Sequence, residues 1–273
     1  MTRQRAVRVL RRSAIDSTEM TPETRSAVPV AHVEPFRVRF DECGADGTLR
    51  TSAYLRYMQD AASVHSSNAG YTRAWYREHG IFWLVRFLDL RVLAPSGPGE
   101  VLAVSTEVTG FRRIWARRRS EFRADGVVTA EADVDWVLTT AAGQPTRVPA
   151  VIVERFPASI ADYAPGRLEL PEMPSDALEQ SRRAEPQELD PMAHVNNAAY
   201  IDQFEAAFEE LGTPDLSSAL PRRYRVEYLS PAPSGAILVW RVWPTADGAT
   251  GGAAGTVRGD SGGEVVRILA EAS

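Results

Sequence analysis

The sequence predicts an α+β protein made of two similar units in tandem, each an antiparallel sheet wrapped around a long central helix. Three observations support this prediction. Each half contains one helix-like segment whose apolar residues follow the i, i+3, i+4, i+7 spacing. About four strand-like runs with turn signals between them come after each helix. The loops that open the two helices also align without a gap, as an internal repeat would.

The composition is that of an ordinary globular protein, and it excludes several kinds of site. The chain has 273 residues, of which 44% are hydrophobic, and these can fill one large domain or two small ones. Its single cysteine, Cys43, excludes an internal disulfide, a thiolate zinc cluster and an iron–sulfur site. The net charge of -5 argues against a polyanion partner, and no apolar run is long enough to span a bilayer. We therefore expect a cytoplasmic protein that binds neither nucleic acid nor membranes and holds no metal.

The first 33 residues are predicted to be a mobile leader, because they carry few large apolar residues and no sustained period. The segment is rich in arginine and lacks the apolar stretch of a secretory signal. Its basic charge is compatible with targeting or with nucleic-acid contact. A solvated tail or an over-long gene start is the favoured interpretation.

The N-terminal unit is predicted to span residues 34–157. Phe36, Val38 and Phe40 alternate with charged residues, which indicates a half-buried strand. A helix with one buried stripe follows, formed by Tyr54, Tyr57, Met58, Ala61, Ala62 and Val64. Four more strands are predicted over residues 81–92, 101–109, 113–123 and 127–139.

Residues 158–180 are rich in proline, alanine and acidic residues, so they are predicted to be a linker. The C-terminal unit then spans residues 181–273. Its helix begins after Asn197, and the predicted stripe is formed by Tyr200, Phe204, Ala207, Phe208 and Leu211. Its first strand is predicted to end near residue 188. Four further strands are predicted near residues 222–229, 236–243, 253–258 and 264–270.

The repeat is clearest where the two helices begin. Residues 42–54 align with residues 188–200 without a gap, although the identities are few. Both segments end a strand, form a loop and open an amphipathic helix that carries a tyrosine, Tyr54 in the first and Tyr200 in the second. The sequence therefore predicts the same strand–loop–helix unit in each half.

The motif Asp190-x-x-x-His194-Val195-Asn196-Asn197-x-x-Tyr200 resembles the loop-to-helix motif of hot-dog-fold thioesterases. Over roughly residues 34–270 the chain resembles the double-hot-dog acyl-ACP thioesterases, which end fatty-acid synthesis. Three further segments carry this resemblance: Asp60-Ala61-Ala62-x-x-His65 followed by Gly70, residues 81–86, and Gly110-x-Arg112-x-x-x-x-Arg117-Arg118. The resemblance implies a tandem double hot-dog that hydrolyses an acyl-ACP or acyl-CoA thioester to a free carboxylic acid, in fatty-acid or polyketide metabolism, without a cofactor.

Three positions depart from the family pattern. Met192 stands where the family's active loop has an asparagine, and Pro231 and Ala232 stand where it has a glutamate and a cysteine or similar polar residue. The loop is therefore closer to the single-hot-dog acyl-CoA thioesterases of the 4-hydroxybenzoyl-CoA type, which work with one acidic residue at the position of Asp190. The departures also keep open a non-catalytic hot-dog protein that binds acyl thioesters.

Asp190 is the candidate base or nucleophile, because a carboxylate can activate water or attack a thioester carbonyl directly. Its alternative role is a turn or capping aspartate. His194 either polarises the carbonyl or orients water with Asp190, or it is bonded to the backbone of a tight loop. The alignment places Gly44 opposite Asp190 and Thr48 opposite His194, so the first unit's site is predicted to be degenerate.

The two asparagines lie where the second helix begins. We predict that Asn197 is the helix N-cap, since asparagine caps well, and that it also lies at the substrate. Asn196 is predicted to aim its amide at the substrate and to assist catalysis. Free N–H groups at the start of the helix suit an oxyanion.

Aromatic and basic side chains suggest where substrate and partner bind. Trp83 and Tyr54 are predicted to line the acyl site, although such aromatic residues are more often core. Arg113, Arg117 and Arg119 are predicted to share one face of a strand and to dock an acidic carrier protein. The alternative is a solvated face or salt bridges between the halves.

Two remaining alternatives concern reaction and assembly. Hot-dog dehydratases carry Asp and His within a Gly-Asp-x-Asn-Pro-x-His run that is absent here, so a dehydratase is disfavoured. The expected substrate is an acyl group on the phosphopantetheine of an acyl carrier protein or on CoA. A double hot-dog contains its own pseudo-dimer, so a monomer and a homodimer are both open.

Overall fold

The computed structural model describes residues 30–158, 163–245 and 251–272. The N-terminal half consists of β1 (Ala31–Arg37), α1 (Thr51–Asn68), α2 (Arg73–Glu78), β2 (Ile81–Val92), β3 (Val101–Arg112), β4 (Trp115–Ala124), β5 (Val127–Thr140) and α3 (Ala150–Arg155). The C-terminal half consists of β6 (Leu178–Arg183), α4 (Asn197–Glu205), β7 (Arg222–Tyr228), β8 (Ile237–Thr245), β9 (Gly252–Arg258) and β10 (Glu264–Ala272).

All these strands form one antiparallel sheet of ten strands in the order β1-β3-β4-β5-β2-β7-β10-β9-β8-β6. The two halves contribute five neighbouring strands each and have the same strand order about the central β2–β7 pair. One helix of each half lies on the same side of this sheet. The predicted α+β architecture of two sheet-and-helix units is therefore confirmed.

The two central helices share one continuous core with the sheet. Tyr54, Leu55 and Met58 of α1 are at most 2% exposed, and Phe204 of α4 is fully buried. The helices meet beside each other where Arg56 donates to Asp202 over 2.7 Å. The second helix is shorter than predicted, because α4 has nine residues and the buried side chains beyond it lie in turns.

Close packing beneath α4 depends on a glycine in β9. A Cβ added to Gly255 would lie 2.8 Å from the ring of Phe204, which is closer than carbon atoms normally approach. We expect Gly255→Ala to lower the free energy of unfolding by roughly 1–3 kcal/mol, because the buried ring must shift. Chemical denaturation measures this loss. Gly259→Ala on the following loop is the control, since its new Cβ would lie 3.4 Å from Val265, and an equal loss in both variants would contradict the packing argument.

The edge strands differ most from the sequence prediction. β1 begins at Ala31, ahead of the predicted boundary at residue 34, and β6 begins at Leu178, inside the predicted linker. Half-buried positions on these strands include the polar residues His32, Glu34, Gln180 and Arg182, so apolar alternation does not show where the strands begin. Phe40 was expected in the first strand, but it lies in a 3-10 turn and is 86% exposed. Residues 1–29 of the predicted leader lie outside the described residues.

The described part of the predicted linker after residue 162 packs on the outer face of the sheet. Leu168 is buried against Phe87 and Trp243. The N–H of Gly166 donates to Asp135 over 2.6 Å, and the N–H of Leu168 donates to Glu227 over 3.2 Å. This segment therefore acts as a strap across both halves. Within the described residues, no helix combines the length and the apolar character needed to cross a membrane.

Candidate active site

The two loops that precede α1 and α4 have the same backbone geometry. Each loop closes on one amide-to-carbonyl hydrogen bond and contains one residue in the left-handed region. The closing bonds run from Gly44 N–H to Thr48 O (2.8 Å) and from Asp190 N–H to His194 O (2.8 Å), and the left-handed residues are Gly47 (φ 78°) and Ala193 (φ 62°). The ungapped alignment of the repeat thus holds at the level of individual backbone groups.

Asp190 is fixed by its own loop. Its Oδ1 accepts the backbone N–H of Met192 over 2.8 Å and that of His194 over 3.4 Å. Among the described residues, no side chain or backbone group donates to its Oδ2. The carboxylate is half-buried. Asp190 therefore combines the turn role with a positioned second oxygen that remains available to a water or a carbonyl carbon.

His194 lies on the same loop, and its backbone pairs with Pro233. Its ring is half-buried and makes no hydrogen bond within the described part of the chain. The main chain of His194 thus makes the backbone contacts of the tight loop. Its imidazole ring keeps a donor and an acceptor for a ligand.

The helix cap is Asn196, which corrects the prediction that Asn197 caps α4. The side-chain oxygen of Asn196 accepts the N–H of Ala198 over 2.9 Å, so this amide is directed at the helix rather than at a substrate. Asn197 is the first residue of α4. Sequence alone did not separate the two, because both are asparagines at neighbouring positions.

Replacing the two asparagines separately tests this assignment. We expect Asn196→Ala to lower the free energy of unfolding by about 1 kcal/mol, because it leaves a helix N–H without its acceptor. Asn197→Ala should change the stability by less than about 0.5 kcal/mol. Thermal denaturation of both variants compares them. A larger loss for Asn197→Ala would show that the cap is assigned to the wrong residue.

The Asp190 loop lies at the boundary between the two halves. The hydroxyl of Tyr228, the last residue of β7, donates to the Asn197 carbonyl over 3.0 Å. Arg86 of β2 donates to the carbonyls of Tyr228 and Leu229 over 2.6 and 2.9 Å. Sequence reasoning did not single out Arg86 or Tyr228 as site residues. Only the position of Arg86 inside the family-like segment 81–86 pointed to it.

The equivalent loop of the first half lies at the opposite end of the β2–β7 pair. Arg222, the first residue of β7, donates to the hydroxyl of Thr51 at the start of α1 over 3.2 Å. Tyr54 is buried at this end and packs edge-on against Phe122 at 5.2 Å. Tyr54 is therefore a core residue of the first loop and not a neighbour of Asp190, contrary to its predicted role at the acyl site.

The corresponding loop of the first half, before α1, has its own acid. Asp46 accepts the N–H of Thr48 over 2.9 Å and its hydroxyl over 2.6 Å. Burial raises the pKa of Asp46, but these two hydrogen bonds outweigh it and hold the pKa below its ordinary value. Both carboxylate oxygens of Asp46 thus accept hydrogen bonds from Thr48. In Asp190 only Oδ1 accepts hydrogen bonds from the described residues. Cys43, which precedes this loop, is buried.

Trp83 lies in a group of aromatic side chains at the C-terminal end of α1. Its indole N–H donates to the Tyr76 hydroxyl over 3.1 Å. We call this group the aromatic cluster; it consists of Tyr71, Trp75, Tyr76, Trp83, Phe111 and Phe156. The structure therefore places Trp83 and Tyr54 at opposite ends of α1, so they do not line one pocket.

The departures from the family pattern lie against the Asp190 loop. Ala232 is buried, and its carbonyl accepts the N–H of Val195 over 2.9 Å. The nearby Tyr200 hydroxyl is buried and has no hydrogen-bond partner among the described residues. Burial raises the pKa of Tyr200, and the charge of Glu188 raises it further. Ala232 thus places a small apolar side chain against this side of the loop.

The predicted docking arginines do not form one free face. Arg113 lies in the β3–β4 turn with a φ of 53° and is not on a strand. Arg117 forms a two-pronged ion pair with the buried Asp135 at 2.7 and 2.8 Å. Arg119 pairs with Asp133 at 3.2 Å on the surface. Arg117 and Arg119 therefore pair with β5 inside the N-terminal half, and not between the halves as the alternative predicted.

The fold and this site define a class: two hot-dog units joined through one sheet, with a single Asp–His loop at their boundary. Residues 29–156 match the family model of the acyl-ACP thioesterase N-terminal domain. The resemblance of the chain to acyl-ACP thioesterases is therefore confirmed, and this match lies in its N-terminal half. No curated protein sequence matches the chain.

Solved structures share the whole architecture. An oleoyl thioesterase (putative) from Lactobacillus plantarum aligns with a TM-score of 0.76 at 17% identity, covering 88% of this chain and 94% of that one. The 12:0-ACP thioesterase from Umbellularia californica aligns with a TM-score of 0.73 at 19% identity, covering 89% and 96%. An acyl-ACP thioesterase from Bacteroides thetaiotaomicron gives 0.72 at 18% identity, covering 88% and 96%. These likenesses show that the fold is a double hot-dog.

Proposed function

We propose that this protein is a thioesterase that hydrolyses an acyl-ACP or acyl-CoA thioester to a free carboxylic acid, in fatty-acid or polyketide metabolism. The match of its N-terminal half to acyl-ACP thioesterases supports a thioester hydrolase. The observation that carries the proposal is the Asp190 carboxylate, with Oδ1 held by two backbone amides and Oδ2 available.

The geometry assigns each residue of the loop a role in the proposed hydrolysis. Asp190 Oδ2 either removes a proton from the attacking water or attacks the thioester carbonyl itself, which forms an anhydride that water then opens. The oxyanion that develops is stabilised by the N-terminal N–H groups of α4 and its positive dipole end. Asn196 assists by holding this helix end in place, and His194 can donate to the carbonyl oxygen or to the leaving thiolate. Asn197 lies at the same helix end, next to the proposed oxyanion position.

A thioester panel tests the proposal. Wild-type protein is assayed for thiol release and for free acid with acyl-ACP and acyl-CoA substrates of several acyl types. Release of both products supports hydrolysis, and faster turnover of the ACP forms would identify the carrier protein as the partner. Binding of acyl thioesters without release would favour the non-catalytic alternative, for which the apolar Met192, Pro231 and Ala232 are the supporting feature. Variants that restore polar residues at these positions would then be tested for turnover.

A further inference from the structure

The central helix and strand of the first half are longer than those of the second half. The additional length lies at the end of the sheet where the Asp190 loop lies. α1 has 18 residues and α4 has 9, while β2 has 12 residues and β7 has 7. The aromatic cluster lies beyond the C-terminal end of α1, on α2, on the ends of β2 and β3 and directly after α3. The cluster therefore forms an additional apolar layer in one half of the pseudo-dimer.

Arg118 lies beneath this layer with its charge uncompensated. It points from β4 towards α1 and is 8% exposed. One guanidinium nitrogen lies 3.1 Å from Nδ1 of His65, the other donates to the Ser66 hydroxyl over 3.4 Å, and the group lies 5.6 Å from the centre of the Phe156 ring. In the described part of the chain, no acidic side chain forms an ion pair with Arg118.

Other arginines of the central strands are paired. Arg117 binds Asp135, and Arg223 binds Asp89 at 2.6 Å. Burial lowers the pKa of Arg118 to about 10, so it is still a cation at neutral pH. Placing a cation in such a site costs stability unless an anion accompanies it. A buried charge that no carboxylate among the described residues accompanies indicates a role in binding.

The sheet register relates Arg118 to the Asp190 loop. The row of paired residues that crosses β4, β5, β2 and β7 is Arg118, Val134, Leu88 and Val226. Val226 precedes Tyr228, which holds the start of α4, by two residues. Three strand spacings of about 4.8 Å separate β4 from β7, so Arg118 lies roughly 14 Å across the sheet from Val226, on the face that α1 and α4 cover. An acyl group bound at Asp190 reaches this distance if it runs beneath the C-terminal end of α1.

We propose that Arg118 selects acyl thioesters whose far end carries a carboxylate. A guanidinium binds a carboxylate through two parallel hydrogen bonds, and the surrounding aromatic side chains exclude water from the pair. This inference rests on the proposed thioesterase function and names its substrate class.

Matched substrates test the selection. Octanoyl-CoA and suberoyl-CoA have the same chain length, and only the second ends in a carboxylate. We expect wild type to have the higher kcat/KM on suberoyl-CoA, and Arg118→Met to lower the ratio of suberoyl to octanoyl by about 10-fold or more, as for a lost hydrogen bond to a charge. Arg123→Met, an exposed arginine on the same strand, should leave the ratio unchanged. A wild-type preference for octanoyl-CoA, or an unchanged ratio in Arg118→Met, would overturn the inference.

Two further measurements separate binding from structure and from turnover. Thermal denaturation of Arg118→Met should show a raised Tm, because an apolar side chain replaces an uncompensated buried cation, whereas a structural arginine would give a lower Tm. Calorimetric titration with the free acids should show suberate binding to wild type and at least about 10-fold weaker binding to Arg118→Met. If wild type cleaves no thioester but binds suberate in this manner, the proposed function fails and the selection by Arg118 stands. If suberate binds no better than octanoate, the selection fails.

Discussion

Asp190→Asn is expected to lower kcat/KM at least about 100-fold, because it removes the base or nucleophile and changes little else. The asparagine oxygen still accepts the N–H groups of Met192 and His194, so the turn that Asp190 forms is kept. The Tm should therefore stay within about 1–2 °C of wild type, as for a surface change of small free energy. Thiol release and thermal denaturation on the same preparation measure both effects.

The matched control is Asp46→Asn in the first half. Asp46 accepts the N–H two residues ahead, as Asp190 does, although Gly44 is the residue that aligns with Asp190. Asp46 lies at the opposite end of the β2–β7 pair from Asp190. Its replacement should leave kcat/KM unchanged within about 2-fold, since that loop lacks the aspartate and histidine of the second. Equal losses in Asp190→Asn and Asp46→Asn would mean that the turns matter for structure and that neither carboxylate does chemistry.

Asp135→Ala is expected to lower the free energy of unfolding by about 3–5 kcal/mol, because it breaks a buried ion pair from one side. Asp135 is 1% exposed, and its two oxygens accept both prongs of Arg117. The same carboxylate accepts the N–H of Gly166 in the strap. Its hydrogen bonds to Arg117 raise the pKa of that guanidinium in the wild type. An arginine is a cation at neutral pH even without this help, so the variant leaves the Arg117 charge without its carboxylate partner.

Asp133→Ala provides the comparison two residues earlier on the same strand. Asp133 pairs with Arg119 on the surface, where the side chains are 36% and 62% exposed. Such a pair contributes less than about 1 kcal/mol. Chemical denaturation of both variants gives the two free energies. Similar losses would contradict the argument that burial, and not ion pairing as such, makes Asp135 important.

The sequence predicted the sheet well where one face of a strand is apolar. β2 was predicted at its observed bounds, Ile81–Val92, and the other internal strands within a few residues. The repeat located the two loops, because the chain keeps the same spacing of strand, loop and helix. The sequence prediction missed the starts of β1 and β6, where half-buried polar residues hide the alternation. It also did not include the helices α2 and α3, which have only six residues each.

The candidate site was predicted as far as its own loop. Asp190 and His194 lie four positions apart on one short loop, so their proximity could be predicted without tertiary information. The contacts of Arg86 and Tyr228 join strands that are 142 residues apart in the chain, and one sequence carries no sign of such a pairing. The roles of Arg117 and Arg118 depend on which face of β4 each occupies, and a two-residue turn at Arg113 sets that register.

Thiol release by purified wild type and Asp190→Asn in one assay tests the proposed hydrolytic site most directly. The substrates are a panel of acyl-ACP and acyl-CoA thioesters. We predict that wild type releases thiol and free acid from at least one thioester, and that Asp190→Asn retains about one-hundredth of that rate or less. An undiminished rate in Asp190→Asn, or no release from any thioester by wild type, would contradict the assignment of a hydrolytic site to the loop before α4.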